Sequence, residues 1–291
     1  MNILYTYIPQ DRLRALAHGE DLPTHTSGSA LFADISGFTP LTRAFAEAFG
    51  PKRGAEALLG VLNPLFEALI EPVHRFGGSV IGFAGDAITC WFEASPRHPE
   101  PSLYHSSLRA TAVALAMQSV MKPFAAVHAP DGSLVTLSIK VAIAAGSARR
   151  FMVGDPAIQQ MDTLAGITLS RMAEAEKYAS QGEVVVSGEV AESLKDVLNV
   201  SAWRDEQRYA VVDGLKVEVQ AEPWPILTED ALSEVQVRQW VLPFIFEQLN
   251  SGVVNLGDLR PVTPLMVQFE GIDFDADENA GSKLDSFVSW S

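Results

Sequence analysis

Apolar positions near the N-terminus alternate between strand and helix patterns. Residues 29–34 form a short apolar run that ends at an acidic residue, which predicts a buried strand. Gly37 and Pro40 then indicate a turn, with Thr39 as the cap of a helix and Pro40 in its first position. Over residues 54–76, apolar side chains recur every three to four positions, which predicts a helix with one face towards a core.

Two further apolar runs, separated by a glycine and an aspartate, follow this helix. Residues 79–84 and 87–92 predict two strands, and Gly85-Asp86 is a typical hairpin turn between them. A second long helix is expected over residues 103–126. The single cysteine, Cys90, lies in an apolar run and is expected to be a packed core thiol.

The rest of the pattern completes one domain. The next hairpin is expected from residues 135–144 and 148–153, turning at Gly146. Further elements are expected in this order: a helix at 166–178, a strand at 183–187, a short helix ending at 194 and short strands within 199–219. The order β-α-β-β-α-β is that of the split βαβ, or ferredoxin-like, unit. We therefore predict an α+β fold with a central, mostly antiparallel sheet flanked by helices, which we place on one sheet face.

Four regions are predicted along the chain. They are a helical lead-in at 1–26, the main domain at 27–221, a linker with helical character at 222–258, and the start of a second copy of the domain at 259–291. Residues 31–38 recur in apolar pattern at 265–272, where Gln268 replaces Asp34. The alternative is a coincidence between two amphipathic strands. Some 33 residues cannot bury a core of their own.

Charge and composition exclude several classes of function. The chain carries 21 Lys and Arg against 36 Asp and Glu, a net charge of −15, which argues against a nucleic-acid partner. We find no signal peptide and no apolar stretch long enough to span a bilayer, so we expect no membrane partner and a cytoplasmic location.

Two aspartates are the strongest candidates for chemistry. Asp34 ends a predicted strand and Asp86 lies at a hairpin tip, so antiparallel pairing of those strands would put both carboxylates at one sheet edge. Such a pair suits two divalent ions, and the turn at 35–39 offers N–H groups to phosphate oxygens. Taken singly, Asp34 could be a helix cap and Asp86 an ordinary turn residue.

Residues 32–39 and 83–87, Phe-Ala-Asp-Ile-Ser-Gly-Phe-Thr and Phe-Ala-Gly-Asp-Ala, resemble the two metal-site motifs of class III adenylyl and guanylyl cyclases. Gly54-Ala-Glu and Phe76-Gly-Gly are similar to the first of the tandem cyclase domains of bicarbonate-regulated soluble adenylyl cyclases and their bacterial relatives. The likeness covers about 27–221. It implies two ions, Mg²⁺ or Mn²⁺, held by catalytic Asp34 and Asp86 and by the carbonyl of Ile35. It implies nucleotide contacts from Ile35, Ser36, Gly37, Phe38, Thr39, Lys140 and Thr163.

The chain departs from the cyclase pattern at several positions. Gly82 stands where the family has a base-selecting lysine, which is also implicated in bicarbonate binding. Ser170 and Glu174 replace the asparagine and arginine that act on the transition state, and Glu174 would repel a developing phosphorane. Arg171 is expected to be a surface cation, and Lys140 has the alternative reading of a solvated strand lysine.

The resemblance implies conversion of ATP to 3′,5′-cyclic AMP and pyrophosphate when this half is paired with a second cyclase domain, in cis or in a homodimer partner. An isolated half is expected to show little or no activity. The alternative is a non-catalytic nucleotide-sensing or dimerisation module that regulates attached domains. A diguanylate cyclase would carry a Gly-Gly-(Asp/Glu)-Glu-Phe signature, which this sequence lacks.

Overall fold

The computed structural model describes residues 3–94, 103–251 and 267–290. The helices in this part of the chain are α1 (Gln10–His18), α2 (Phe38–Phe49), α3 (Pro51–Arg75), α4 (Leu103–Val120), α5 (Ile167–Lys177), α6 (Gly188–Ser193), α7 (Glu234–Arg238), α8 (Pro243–Asn250) and α9 (Ala280–Trp290). Short 3₁₀ helices lie at Ile3–Tyr7 and Lys122–Phe124.

Within the described ranges, ten strands form one large sheet and a small hairpin. They are β1 (His25–Ser36), β2 (Ser79–Ala84), β3 (Ala87–Glu93), β4 (Ala126–His128), β5 (Leu134–Thr136), β6 (Ser138–Val153), β7 (Met161–Ala165), β8 (Val184–Ser187), β9 (Leu198–Arg204) and β10 (Tyr209–Leu215). The large sheet has the order β2-β3-β1-β6-β8-β10-β9, with β7 also paired to β6, and β4 pairs with β5. All pairs except β6 with β8 are antiparallel, which confirms the predicted α+β fold and its mostly antiparallel sheet.

Two predicted helix boundaries are wrong. Helix α2 begins at Phe38 after Gly37, whose φ of 96° makes the turn, so Thr39 is not the cap. Pro40 lies in the first turn, where its missing N–H is not needed. Helix α4 ends at Val120 rather than near 126, because the chain tightens into a 3₁₀ turn around Pro123.

The predicted hairpin around Gly146 is also wrong, because β6 runs unbroken through that residue. Strand β1 pairs with β6 from His25 opposite Arg149 to Ser36 opposite Ser138, and this long ladder keeps β6 extended. A Cβ on residue 146 would lie 2.7 Å from Oγ1 of Thr168. The glycine therefore allows α5 to approach the sheet closely, and does not make a turn.

Helices cover both faces of the sheet, not one face as predicted. The main core joins alternate residues of β1 and β6, such as Leu31 and Val141, to α2, α3, α4 and α6. The residues between them, such as Ala30 and Ala144, pack with Met172 of α5 on the opposite face. This alternation follows from the two-residue repeat of a strand.

The lead-in and the linker pack together as a second, smaller core. Leu4, Ile8 and Leu13 contact Trp240 and Val241 of the linker in this cluster. Both segments therefore form one layer that contacts the start of β2, which the sequence did not indicate.

A buried ionic network ties this layer to the sheet. Arg150 of β6 donates to Asp11 at 2.9 Å and to Asp162 at 2.7 Å, and Arg12 donates to Asp162 at 2.8 Å. All four side chains are buried. Such a network is costly to break, because removal of one member leaves a buried charge without its partner.

The segment expected to begin a second copy is described only from residue 267. Residues 267–273, which repeat part of the apolar pattern of β1, have no regular secondary structure and form no strand. Residues 259–266 lie outside the described residues, so the start of a second copy stays a prediction. A central strand needs partners on both sides, which so short a segment does not bring with it. Helix α9 instead packs on Phe151 and Val153 of β6.

Candidate functional site

The strand register brings the two candidate aspartates together. Asp34 of β1 lies directly opposite Ala87 of β3, and Asp86 is the residue before Ala87. Cross-strand and along-strand spacings place the Cα atoms of Asp34 and Asp86 roughly 6 Å apart. Both residues are partly exposed. The register therefore places Asp34, at the end of its pairing with β3, next to Asp86 in the turn between β2 and β3, at one edge of the sheet.

Lys140 lies on the other side of Asp34. It is the partner of Asp34 in the β1–β6 ladder, and its Nζ is 3.2 Å from Oδ2 of Asp34. The same ammonium also forms an ion pair with Glu176 of α5. The hydrogen bond to Glu176, with a further contribution from Asp34, raises the pKa of Lys140 despite partial burial. The lysine is thus a charged, ion-paired neighbour of Asp34, and its contact with a nucleotide stays a prediction.

The turn after Asp34 presents the start of a helix to the same edge. Pairing of β1 with β3 ends at Asp34, and α2 begins at Phe38 with no side-chain cap. A Cβ on residue 37 would lie 2.3 Å from the carbonyl oxygen of Thr136, so glycine is required there. First-turn N–H groups, here those of Phe38 and Thr39, lack partners within the helix and favour an anion.

Thr163 lies far from this edge. It pairs with Phe151 on β6, eleven residues beyond Lys140, which corresponds to roughly 35 Å along an extended strand. The structure therefore does not bring Thr163 to Asp34. The predicted contact of Thr163 with a nucleotide stays a prediction, and it would have to be made away from the Asp34 edge of the same chain.

The positions that depart from the family pattern lie on α5 and β2. Ser170 is exposed, and Glu174 pairs with Lys177 at 2.6 Å. Arg171 pairs with Glu189 at 3.1 Å on the surface, in agreement with its expected role as a surface cation. A Cβ on Gly82 would meet no atom within 4 Å, so the lysine of the family has been replaced without any steric need for glycine.

The donor set fits a hard divalent cation. Asp34 and Asp86 offer carboxylate oxygens, and Ile35 offers a main-chain oxygen. Mg²⁺ and Mn²⁺ prefer oxygen ligands of this kind. Within the described ranges no group of three or more His, Cys, Asp or Glu could hold a metal. A pair of carboxylates is nevertheless the usual site for Mg²⁺ that arrives with a nucleotide, because phosphates and water complete the coordination.

Sequence reasoning missed Glu176, which shares Lys140 with Asp34. Its carboxylate lies on α5, and the sequence does not show that α5 packs beside Lys140 of β6. The buried network of Arg150 was missed for the same reason. Helical spacing in α5 could have shown that Glu176 shares a face with Met172 and therefore points towards the sheet.

Comparisons with known proteins agree on the class that this fold and site define. The structure of the adenylyl cyclase CyaB from P. aeruginosa aligns with a TM-score of 0.51 and 20% identity, over 67% of this chain and 96% of that chain. The dimeric guanylyl cyclase domain of a RhoGC fusion protein from Blastocladiella emersonii aligns with a TM-score of 0.52 and 17% identity, over 67% of this chain and all of that one. Both likenesses show a nucleotide cyclase fold.

The sequence narrows this class to a family. The model for the adenylate and guanylate cyclase catalytic domain matches residues 22–224, and this chain belongs to that family. Over 285 aligned residues, the chain is also 25% identical to adenylate cyclase type 10 from Mus musculus. The alignment covers 88% of this chain but only 17% of that protein. No helix in the described part of the chain has the length and apolar character needed to cross a membrane.

Proposed function

We propose that this chain is the metal-carrying half of an adenylyl cyclase, which converts ATP to 3′,5′-cyclic AMP and pyrophosphate with Mg²⁺ or Mn²⁺. The observation that carries the proposal is the register that puts Asp86 next to the cross-strand partner of Asp34. Family membership supports a nucleoside triphosphate as the substrate. The choice of ATP over GTP is supported by the likeness to adenylate cyclase type 10.

Each group at the edge has a role in this reaction. Bound cations would activate the ribose 3′-hydroxyl and neutralise the leaving phosphates. Asp34 and Asp86, with the Ile35 carbonyl, would hold them. The first-turn N–H groups of α2 would bind phosphate oxygens, and Lys140 would add a positive charge to the same oxygens once it is released from Asp34.

A complete site would need residues from a second cyclase domain. The transition-state pair is replaced by Ser170 and Glu174 in this chain, and Thr163 lies far from Asp34. We infer that residues 259–291 begin that second domain, which carries Gln268 in place of the metal aspartate. A homodimer partner is the other possible source. One productive site would then lie between the metal-carrying half and a half that contributes base and transition-state contacts.

The changes on α5 favour one alternative function. A cyclase half with Ser170 and Glu174 could bind nucleotide without turning it over, as a sensing or dimerisation module for attached domains. The two readings differ in what they require of Asp34 and Asp86. The regulatory output of such a module would be unchanged when either carboxylate is removed. A cyclase would stop forming product after the same change.

Binding of Mn²⁺ with a fluorescent ATP analogue, mant-ATP, tests the site in the 291-residue chain. Asp34→Asn and Asp86→Asn keep the shape of each side chain and remove its charge. Each should weaken Mn²⁺-dependent binding by about tenfold or more, since even residues behind metal ligands typically contribute about 10–100-fold. Asp196→Asn, at an exposed aspartate away from the edge, is the matched control and should bind as the wild type does.

Product formation tests whether this chain supplies only half of the active site. The purified chain with ATP and Mn²⁺ should form little or no cyclic AMP, whereas a chain with a complete second domain should form it and lose it on Asp34→Asn. Unchanged mant-ATP binding in both aspartate variants would refute the metal site. Sustained cyclic AMP synthesis by a monomer of residues 1–291 would refute the need for a second domain at the active site.

A further inference from the structure

A cavity of about 910 Å³ lies outside the carboxylate edge, between four parts of the chain. Its walls come from the lead-in at residues 6–14, the second half of α3, strand β2, and the linker at residues 223–227. The size falls within the roughly 300–1,000 Å³ typical of sites for small molecules. Nothing in the proposed cyclase chemistry uses this space.

Hydrogen bonds and ring contacts hold the walls in place. Nε1 of Trp224 donates to the carbonyl oxygen of Gly78 at 2.7 Å, which fixes the linker against the start of β2. The rings of Phe66 and Phe83 meet edge to face at 5.8 Å, which fixes Phe83 against α3. The cavity is therefore a formed feature of the fold and not a gap beside a loose segment.

Most of the lining is apolar or aromatic. Tyr7, Ile70, Val80, Phe83 and Trp224 are among the residues that face the space. Burial of an apolar molecule against such side chains is favourable by roughly 25 cal/mol for each Å² removed from water. The walls thus favour a molecule with rings or hydrocarbon over a nucleotide or a sugar.

The cations at the cavity are already engaged by groups of the protein. Arg14 donates to the carbonyl oxygen of Pro225 and to Oε1 of Gln10, both at 2.6 Å, and lies over the Trp224 ring at 5.0 Å. Glu67, Glu71 and Arg75 are exposed at the rim on α3. An anionic ligand would have to compete with the contacts of Arg14, and the carboxylates lie at the exposed rim and not among the apolar walls, so the interior favours a neutral molecule.

His74 supplies a polar anchor in the apolar lining. The residue is half-buried, and among the described residues neither ring nitrogen has a hydrogen-bond partner. Burial, together with the nearby charge of Arg14, lowers the pKa of His74 to about 4, so the ring is neutral at pH 7. A neutral imidazole offers one donor and one acceptor, which suits a hydroxyl, carbonyl or amide group.

We propose that this cavity is a binding site for a neutral, mainly apolar, ring-containing molecule that makes a hydrogen bond to His74. The site is distinct from the carboxylate edge and does not depend on the proposed cyclase activity. The volume, the aromatic walls and the unpaired imidazole carry the proposal.

Nile red, a neutral dye that fluoresces in apolar sites, tests the site in the 291-residue chain. Gly82 lines the cavity, and a Cβ there meets nothing within 4 Å, so Gly82→Trp adds an indole with little strain. We expect saturable binding of one dye per chain, weakened roughly tenfold or more by Gly82→Trp because the indole takes up space that the dye needs. Ile70→Trp, from the α3 wall, should act likewise.

Gly60→Trp is the matched control. Gly60 is an exposed glycine of α3 that also has open space around a Cβ, and it does not line the cavity. Dye affinity should stay within about twofold of the wild type, as expected of a surface change. Absence of saturable binding, or equal affinity in the wild type and both cavity variants, would overturn the proposal.

His74→Phe tests the polar anchor separately. The wild type should bind 2-naphthol more tightly than naphthalene, roughly fivefold, as expected for one neutral hydrogen bond. His74→Phe should abolish that preference while it keeps naphthalene binding. A preference that persists in His74→Phe would show that His74 is not the anchor.

Discussion

Lys140 forms an ion pair with Asp34 that any cation bound by Asp34 has to displace. Its Nζ lies 3.2 Å from Oδ2 of Asp34 and is also paired with Glu176. Lys140→Met keeps the apolar stem of the side chain and removes the charge. If Asp34 is a metal ligand and Lys140 a phosphate contact, this one change should affect metal binding and nucleotide binding in opposite directions.

The expected size follows from the exposure of the pair. The Lys140 and Asp34 side chains are 24% and 26% exposed, so the contact is closer to a surface ion pair than to a buried one. Such pairs contribute about 0.2–1 kcal/mol. Removal of the competing ammonium should therefore strengthen binding of Mn²⁺ alone by up to about fivefold. Binding of mant-ATP at saturating Mn²⁺ should weaken by about threefold to tenfold, because a charge-assisted hydrogen bond to phosphate is lost.

The affinity for Mn²⁺ alone is obtained from free Mn²⁺ measured by electron paramagnetic resonance. The affinity for mant-ATP at saturating Mn²⁺ is obtained from its fluorescence. Lys177→Met is the matched control, since Lys177 pairs with Glu174 on the exposed side of α5, the helix that also carries Glu176. It should change neither value. Weaker Mn²⁺ binding in Lys140→Met, or a change of both affinities in the same direction, would refute the competition between lysine and metal at Asp34.

The buried network yields two further predictions. Arg150→Met should lower the free energy of unfolding by about 3–5 kcal/mol in urea titrations, because Asp11 and Asp162 lose their shared cation; exposed Lys195→Met should change it by less than about 0.5 kcal/mol. Burial alone would raise the pKa of Asp11, but the Arg150 guanidinium outweighs it and lowers that pKa. The carboxylate thus stabilises the fold above its unfolded pKa of about 3.9, and the stabilisation is lost as the pH falls through the lower folded value. Unfolding free energy measured from pH 5 to pH 2 should therefore fall more steeply in the wild type than in Asp11→Asn, and parallel curves would contradict this.

The carboxylate edge was predictable because its signals are local. Asp34 ends an apolar run, and Asp86 lies in a two-residue turn between two strands, so each position can be inferred from about ten residues. The pairing of these strands follows from the β-α-β-β order alone. Both predictions agree with the register that joins Asp34 to Ala87.

Features that depend on packing between distant segments were not predictable. Gly146 has the same local pattern whether it makes a turn or admits a helix, and the contact with Thr168 that decides this lies on a separate element. Arg150 and Asp11 are 139 residues apart and look like solvated charges in the sequence. Their burial results from the packing of the lead-in against β6 and β7, for which the sequence has no local signal.

The two carboxylates are held with different rigidity, and this difference constrains how the site can be regulated. Asp34 lies on β1, which is paired on both sides by β3 and β6, so its main chain is fixed along its length. Asp86 lies at the tip of a hairpin whose outer strand, β2, is at the edge of the sheet and is irregular between Val80 and Gly82. At a metal–nucleotide site, Asp34 would therefore be held in place by the sheet, whereas Asp86 would have more freedom to move. Strand β2 is also a wall of the cavity beside His74, so the same edge strand joins that cavity to the turn that carries Asp86.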